Sequence, residues 1–368
     1  MRRTFLQRLR FGLTAILVAA LVLLAVSMSL LRLAVAFAPE LRGQVELVLT
    51  QALQRPLTLG GMRAAWAGRH PRLILEDVRL TGGPLAGLEI PELEVDIDLL
   101  RSLGEMRLHL AQVEVSGLVV QATYAADGGL RVTRVGNADL EQELPGGSTP
   151  KLPALVQLRN TTVRLTDLPS GKTFSLSPVA LDLDNRGGSY NLAGYVPLPE
   201  ALGGSLRFRA EWQGLDPAAL TGRLYVDAWR LHLESLSGLL GRVVPVPALR
   251  GFADAELWAE IEAGSVMQAG GRLTLADVAL PGDASRWRKV AEQLRGEFRW
   301  QRQAAGWELA VDRLSVRSSA RAWPASALSL QFRQADTGKH LDLAGSYLHL
   351  GDLATAAIIV SGIPTTCT

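Results

Sequence analysis

Five histidines and one cysteine are the residues of this 368-residue chain best suited to chemistry. His70, His109, His232, His340 and His349 are scattered, and none stands in an H-E-x-x-H or similarly close pair that would set two imidazoles on one face of an element. His109 and His232 fall on the polar side of their alternating segments, where a solvated ring is the plain expectation. Cys367 has no second cysteine, which excludes an intramolecular disulfide and a thiolate zinc or iron–sulfur site. G-x-S-x-G, G-x-x-x-x-G-K and G-x-G-x-x-G are all absent. The densest carboxylate set, Glu92, Glu94, Asp96 and Asp98, could serve as paired acids or a calcium site, but it alternates strictly with aliphatic residues. That alternation reads as the wet face of a strand, where charge keeps a sheet soluble and discourages edge pairing. Basic residues alternate in the same way without interleaved aromatics, so single-stranded nucleic acid has no stacking platform. The residues therefore predict no enzyme, no metal, no cofactor and no nucleic-acid partner.

Composition points the same way. The chain is 48% hydrophobic, 20% charged and 6% aromatic, which excludes a disordered or collagen-like polymer. Its 38 basic and 36 acidic residues leave a net charge of +2, too small for a global polyanion-binding footprint.

The elements that must position any site begin at the N-terminus. Residues 1–10 carry Arg2, Arg3, Arg8 and Arg10, and residues 11–31 form an uncharged run of 21, long enough as a helix to cross a hydrocarbon core of roughly 30 Å. Basic flanks stay cytoplasmic, so the N-terminus is predicted inside and the body outside the membrane. A cleaved signal peptide is the alternative, because Ala34-Val35-Ala36 and Ala36-Phe37-Ala38 resemble cleavage sites. The length of the run, Arg32 before the sites and Pro39 after them favour an anchor, and both readings export the body. Residues 39–54 place Leu41, Val45, Val48, Leu49 and Ala52 three and four apart, the spacing of a short amphipathic helix that Arg55-Pro56 ends.

From residue 55 to about 353 the period is two. The clearest strand is 92–99, ELEVDIDL, with further copies at 106–115, 156–168, 206–212, 224–233, 253–261, 273–280, 309–316, 328–332 and 341–350. The copy at 156–168 slips in phase near Asn160. Turn clusters such as Gly82-Gly83-Pro84, Asp127-Gly128-Gly129 and Gly187-Gly188 separate the runs. A further helix is plausible over Trp287–Leu294. Short strands between turns predict a mostly β, antiparallel architecture. Its aliphatic face can be buried in closed β-sandwiches, or lie open on a curled sheet that holds acyl chains. An outer-membrane barrel is disfavoured by the anchor and by the thin, dispersed aromatic content.

Three segments carry a resemblance. Residues 53–80, LQRPLTLGGMRAAWAGRHPRLILEDVRL, follow the two N-terminal helices and look like the start of the AsmA-like, YhdP family of bacterial envelope proteins. Residues 91–120, PELEVDIDLLRSLGEMRLHLAQVEVSGLVV, are similar to that family's next segment, and residues 320–332, ARAWPASALSLQF, resemble a later strand opening. The resemblance implies a single inner-membrane helix, a periplasmic body forming an elongated hydrophobic groove, and a part in moving phospholipid between inner and outer membranes of a Gram-negative cell. It also implies a longer chain. Residues 354–368 do not resemble the strand expected there, so the sequence reads as the N-terminal portion of a truncated or frame-shifted protein ending in an irregular tail.

Two readings of the body follow. In the first, the inward aliphatics Leu93, Val95, Ile97, Leu108, Leu110, Leu224, Val226, Leu257 and Ile261 line a groove for phospholipid acyl chains, beside the inner membrane and other envelope proteins as partners. In the second, the same residues are the dry core of sandwich domains in an envelope scaffold or assembly factor.

Overall fold

The computed structural model describes residues 42–53, 56–139, 154–235, 249–281, 287–335 and 338–347, apart from 69, 83–85, 106–108, 126–129, 169–170, 215, 217 and 320. The anticipated membrane span at 11–31 and the tail at 354–368 lie outside the described residues. Among the described residues no helix is long and apolar enough to cross a membrane. The chain divides into two units, one up to Val113 and one from Glu114.

The first unit contains α1 (Arg42–Leu53), β1 (Leu57–Thr58), β2 (Gly61–Ala67), β3 (His70–Leu80), β4 (Glu89–Ile97), α2 (Leu99–Glu105) and the start of β5 (Leu110–Ser116). Strand β3 pairs antiparallel with β1, β2 and β4. Opposed pairs Met62↔Leu75 and Leu75↔Leu93 gather one apolar face, and Leu57, Leu59, Met62, Leu75 and Val78 form a buried cluster on which Val45 and Leu49 of α1 pack. Within the helix expected at 39–54, residues 42–53 form α1, and its Val45 and Leu49 pack on this core. Glu46 accepts the Leu59 N–H at 3.3 Å, tying helix to strand. Asp98 caps α2 by accepting the Arg101 N–H at 3.0 Å.

The second unit contains the end of β5 and then β6 (Val119–Tyr124), β7 (Leu130–Val135), β8 (Ala138–Asp139), β9 (Leu155–Asp167), β10 (Lys172–Asp184), β11 (Tyr190–Pro197) and β12 (Ser205–Gln213). It continues through β13 (Thr221–His232), β14 (Arg250–Glu262), β15 (Ser265–Pro281), β16 (Trp287–Gln303), β17 (Gly306–Arg317), β18 (Ser326–Ala335) and β19 (Gly338–Gly345). Strand β6 runs parallel to β9, and from β9 onward each strand pairs antiparallel with the next through to β19. Among the described residues β19 has no second partner, and its Leu341 and Leu343 stand 61% and 56% exposed, so the sheet is open rather than closed on itself. The helix expected at Trp287–Leu294 is instead the first half of β16. Its pairing with β15 and β17 overrides a local helical spacing.

Left-handed residues recur at matching places in the strands of both units. Six hexapeptides, 75–80 (LEDVRL), 115–120 (VSGLVV), 158–163 (LRNTTV), 228–233 (AWRLHL), 275–280 (LADVAL) and 311–316 (VDRLSV), share one pattern: apolar, any, left-handed residue, apolar or Thr, any, apolar. The third residues Asp77, Gly117, Asn160, Arg230, Asp277 and Arg313 have φ of 50°, 77°, 49°, 51°, 52° and 51°. Register shifts accompany these positions at Ala228/Leu231 and Val311/Leu314. One extra residue in the left-handed conformation lets the apolar set stay on the same face after a three-residue step, and it sharpens the local twist. The phase slip read at Asn160 is one such bulge. Gly251, at φ 128°, receives the bulge of the neighbouring strand, since a Cβ there would lie 2.5 Å from the Ala276 carbonyl oxygen.

The β14–β15 hairpin turns on Ala263-Gly264, both with positive φ (47° and 70°). This is the two-residue turn that favours Asn-Gly, and an alanine in the left-handed region carries about 1 kcal/mol of strain. Ala263→Asn is expected to raise stability by about 0.5–1 kcal/mol, read as an upward shift of the thermal midpoint; an unchanged or lower midpoint would count against the turn assignment.

An apolar sheet face as candidate functional site

The two faces of the second unit's sheet differ in character. Pairings Leu181↔Gly194↔Phe208↔Val226↔Leu257↔Gly271↔Phe298↔Val311↔Leu328 run straight across nine strands on one face. The next row on that face is Leu183↔Leu192↔Ala210↔Leu224↔Ala259↔Ala269↔Trp300↔Leu309↔Leu330↔Leu343. No charged residue interrupts either row. Period two with matched register does this, because directly opposed residues in an antiparallel ladder share a face.

Burial varies across this face. Ala228, Leu233, Ala253, Ala255, Val278, Leu280 and Ala291, near the bulges, are buried. Phe208, Leu224, Val226, Leu257, Phe298, Leu309 and Leu330 are only half-buried. A dry sandwich core would bury such side chains almost completely, as it does Leu59 in the first unit at 2% exposed. The face is thus shielded by its own neighbours, and nothing among the described residues covers it.

The other face is charged. Arg272 on β15 bridges Glu256 and Glu297 at 3.2 Å each, Arg313 reaches Glu297 at 2.5 Å, and Arg223 reaches Glu260 at 3.2 Å. A concavity of about 920 Å³ lies between these side-chain rows, flanked by Tyr195, Arg207, Tyr225 and Trp258. Its polar residues flank single apolar ones on each strand, which places it on the charged side of the sheet. The Asp184 carboxyl is pulled down to about 2 by its hydrogen bonds from Arg186, and the Lys289 amine is raised by Asp277. Both pairs belong to the wet surface and not to the apolar face. Among the described residues no group of three His, Cys, Asp or Glu side chains is placed to hold a metal.

Leu224, Val226, Leu257 and Ile261 fall together on the apolar face, with Val226 directly opposite Leu257. Leu93 and Val95 lie side by side with Leu75 and Leu73 on β3, and Leu93 packs against the closed core under α1. Ile97 ends β4 and Leu110 begins β5; Leu108 lies outside the described residues. The acidic row has a firmer role than solvation alone, since Arg72 holds Asp96 with two hydrogen bonds of 2.6 and 2.9 Å and Glu94 with one of 2.6 Å, and Asp96 is buried. Sequence reasoning missed much of the uncovered face: Leu181, Phe208, Phe298, Trp300, Leu309 and Leu330. The pairs of alternating apolar residues in β10 and β16 carried the signal, but the bulges and the helix-like spacing at 287–294 masked it.

No curated protein and no solved structure matches the chain. The family model described as YhdP protein matches residues 1–368, the whole of this sequence. An open, curled, mostly β sheet with apolar rows along one face, carried by a chain matched from end to end, fits an envelope protein of the lipid-transport type: this chain belongs to the YhdP family.

Proposed function

We propose that this protein is anchored in the inner membrane, extends into the periplasm, and takes part in moving phospholipid between inner and outer membranes. Acyl chains lie against the apolar face of its second unit, and no covalent chemistry is involved. One observation carries the reading: rows of aliphatic and aromatic side chains continue across β10–β19 while remaining half-exposed. Exposing an acyl chain to water costs roughly 0.8 kcal/mol per CH₂, so a continuous apolar surface lowers the barrier to its passage. Membership of the YhdP family and the uncharged run at 11–31 support the same placement.

The test is to express the full chain in a Gram-negative host, extract it in mild detergent, and quantify bound phospholipid by mass spectrometry beside a variant carrying a charge on the apolar face. Phospholipid retained by the native chain and lost from the variant supports the groove. Equal retention by both assigns the lipid to the anchor and overturns it.

A further inference from the structure

The apolar face has two unlike lips. At the bulge lip its residues are mostly aliphatic, Leu231, Leu233, Val278, Leu280, Leu314 and Val316, with Arg288 opposite Leu280 beyond the bulge. At the opposite lip, where β11, β13 and β17 begin and β12, β14, β16 and β18 end, the same face turns aromatic. Tyr190 stacks on Trp212 with ring centroids 5.5 Å apart, and Trp307 stacks on Phe332 at 5.8 Å. Trp300 lies on this face two residues before Arg302, which stands directly opposite Trp307.

Arg302 is an exception to the rule of the face. Between the bulges and the hairpin ends of β11–β18 it is the one charged residue on the apolar side among the described residues. Among the described residues it makes no ion pair, as Arg207, Arg209 and Arg299 on the charged face make none, whereas Arg223, Arg272, Arg313 and Arg333 each have a carboxylate partner. Arg302, Trp300, Trp307, Phe332, Gln303 and Gln334 line a concavity of about 1020 Å³ at this end of the sheet.

We propose that the aromatic lip is where the phosphate-bearing headgroup of the bound lipid sits, with Arg302 as its cation. This rests on the acyl-chain reading of the face and adds to it a direction across the groove: chains toward the bulges, headgroup toward Arg302. Tryptophan and tyrosine suit a boundary that is greasy on one side and wet on the other. A guanidinium without a carboxylate partner offers paired N–H donors that match phosphate oxygens and strengthen at the edge of an apolar surface. Gln303 Nε2 already donates to Glu308 at 3.0 Å, so that carboxylate is engaged within its own hairpin.

The experiment exposes the full chain in detergent to micelles holding equal amounts of phosphatidylglycerol and diacylglycerol with identical acyl chains. The chain is then re-isolated and the two lipids counted by mass spectrometry. The native protein is expected to prefer the phospholipid by about tenfold, Arg302→Gln to lose the preference while still binding diacylglycerol, and Arg302→Lys to recover part of it. Circular dichroism checks that each variant is folded. A preference unchanged in Arg302→Gln overturns the headgroup site and leaves the groove standing. Neither lipid bound by the native chain overturns the groove and this proposal with it. Inorganic phosphate bound by the lipid-free protein and lost in Arg302→Gln, with no effect on lipid preference, assigns Arg302 to free phosphate and likewise overturns the proposal.

Discussion

Leu75→Asp is expected to unfold the first unit, with a loss of more than about 4 kcal/mol in urea denaturation of the full chain. Leu75 is 3% exposed, sits between Met62 on β2 and Leu93 on β4, and belongs to the cluster that Val45 and Leu49 of α1 cover. A carboxylate there would have neither water nor a cation, since Arg63 and Arg72 pair with Glu76, Glu94 and Asp96. The chain would have to expose the core or bury the charge unpaired. Retention of a cooperative transition at the native midpoint would show that this core is not closed.

Leu257→Asp should behave in the opposite manner. Leu257 has the same residue type and the same strand-face logic, yet it is half-exposed in the middle of the uncovered row, between Val226 and Gly271. Its carboxylate can reach water in the empty protein, so folding should lose only about 1–2 kcal/mol. Against an acyl chain the same charge costs on the order of 2–3 kcal/mol, and bound phospholipid should fall by at least about tenfold. Unfolding on the scale of Leu75→Asp would instead mean that the face is the inside of a closed core.

The contrast between these two leucines shows where sequence reading reached and where it stopped. Strict alternation at 92–99 and 253–261 made both strands, their apolar faces and the absence of clustered chemistry legible. It could not tell Leu93, which packs against the buried cluster of the first unit, from Leu257, which nothing among the described residues covers, because both environments select the same period. The phase slip near Asn160 was visible as an irregularity, but its repetition at Arg230, Asp277 and Arg313 emerges only when backbone conformation and strand register show that each is one extra left-handed residue. Segment 287–294 places Trp287, Val290, Ala291 and Leu294 at helical spacing, and only the ladders with β15 and β17 make it a strand. Arg302 could not be singled out, since one arginine among many acquires meaning only from the face it occupies.

On the proposed function, one face of this sheet meets lipid and the other meets water. Neighbouring residues test it directly, because Val226 and Asp227, like Leu257 and Glu256, point to opposite faces from the same strand. A photoreactive benzoylphenylalanine is placed at each of these four positions in turn, irradiated in intact Gram-negative cells, and the adducts identified by mass spectrometry. Phospholipid adducts at 226 and 257 and none at 227 and 256 are the predicted result. Protein adducts at 226 and 257, or lipid captured equally from both faces, would contradict it.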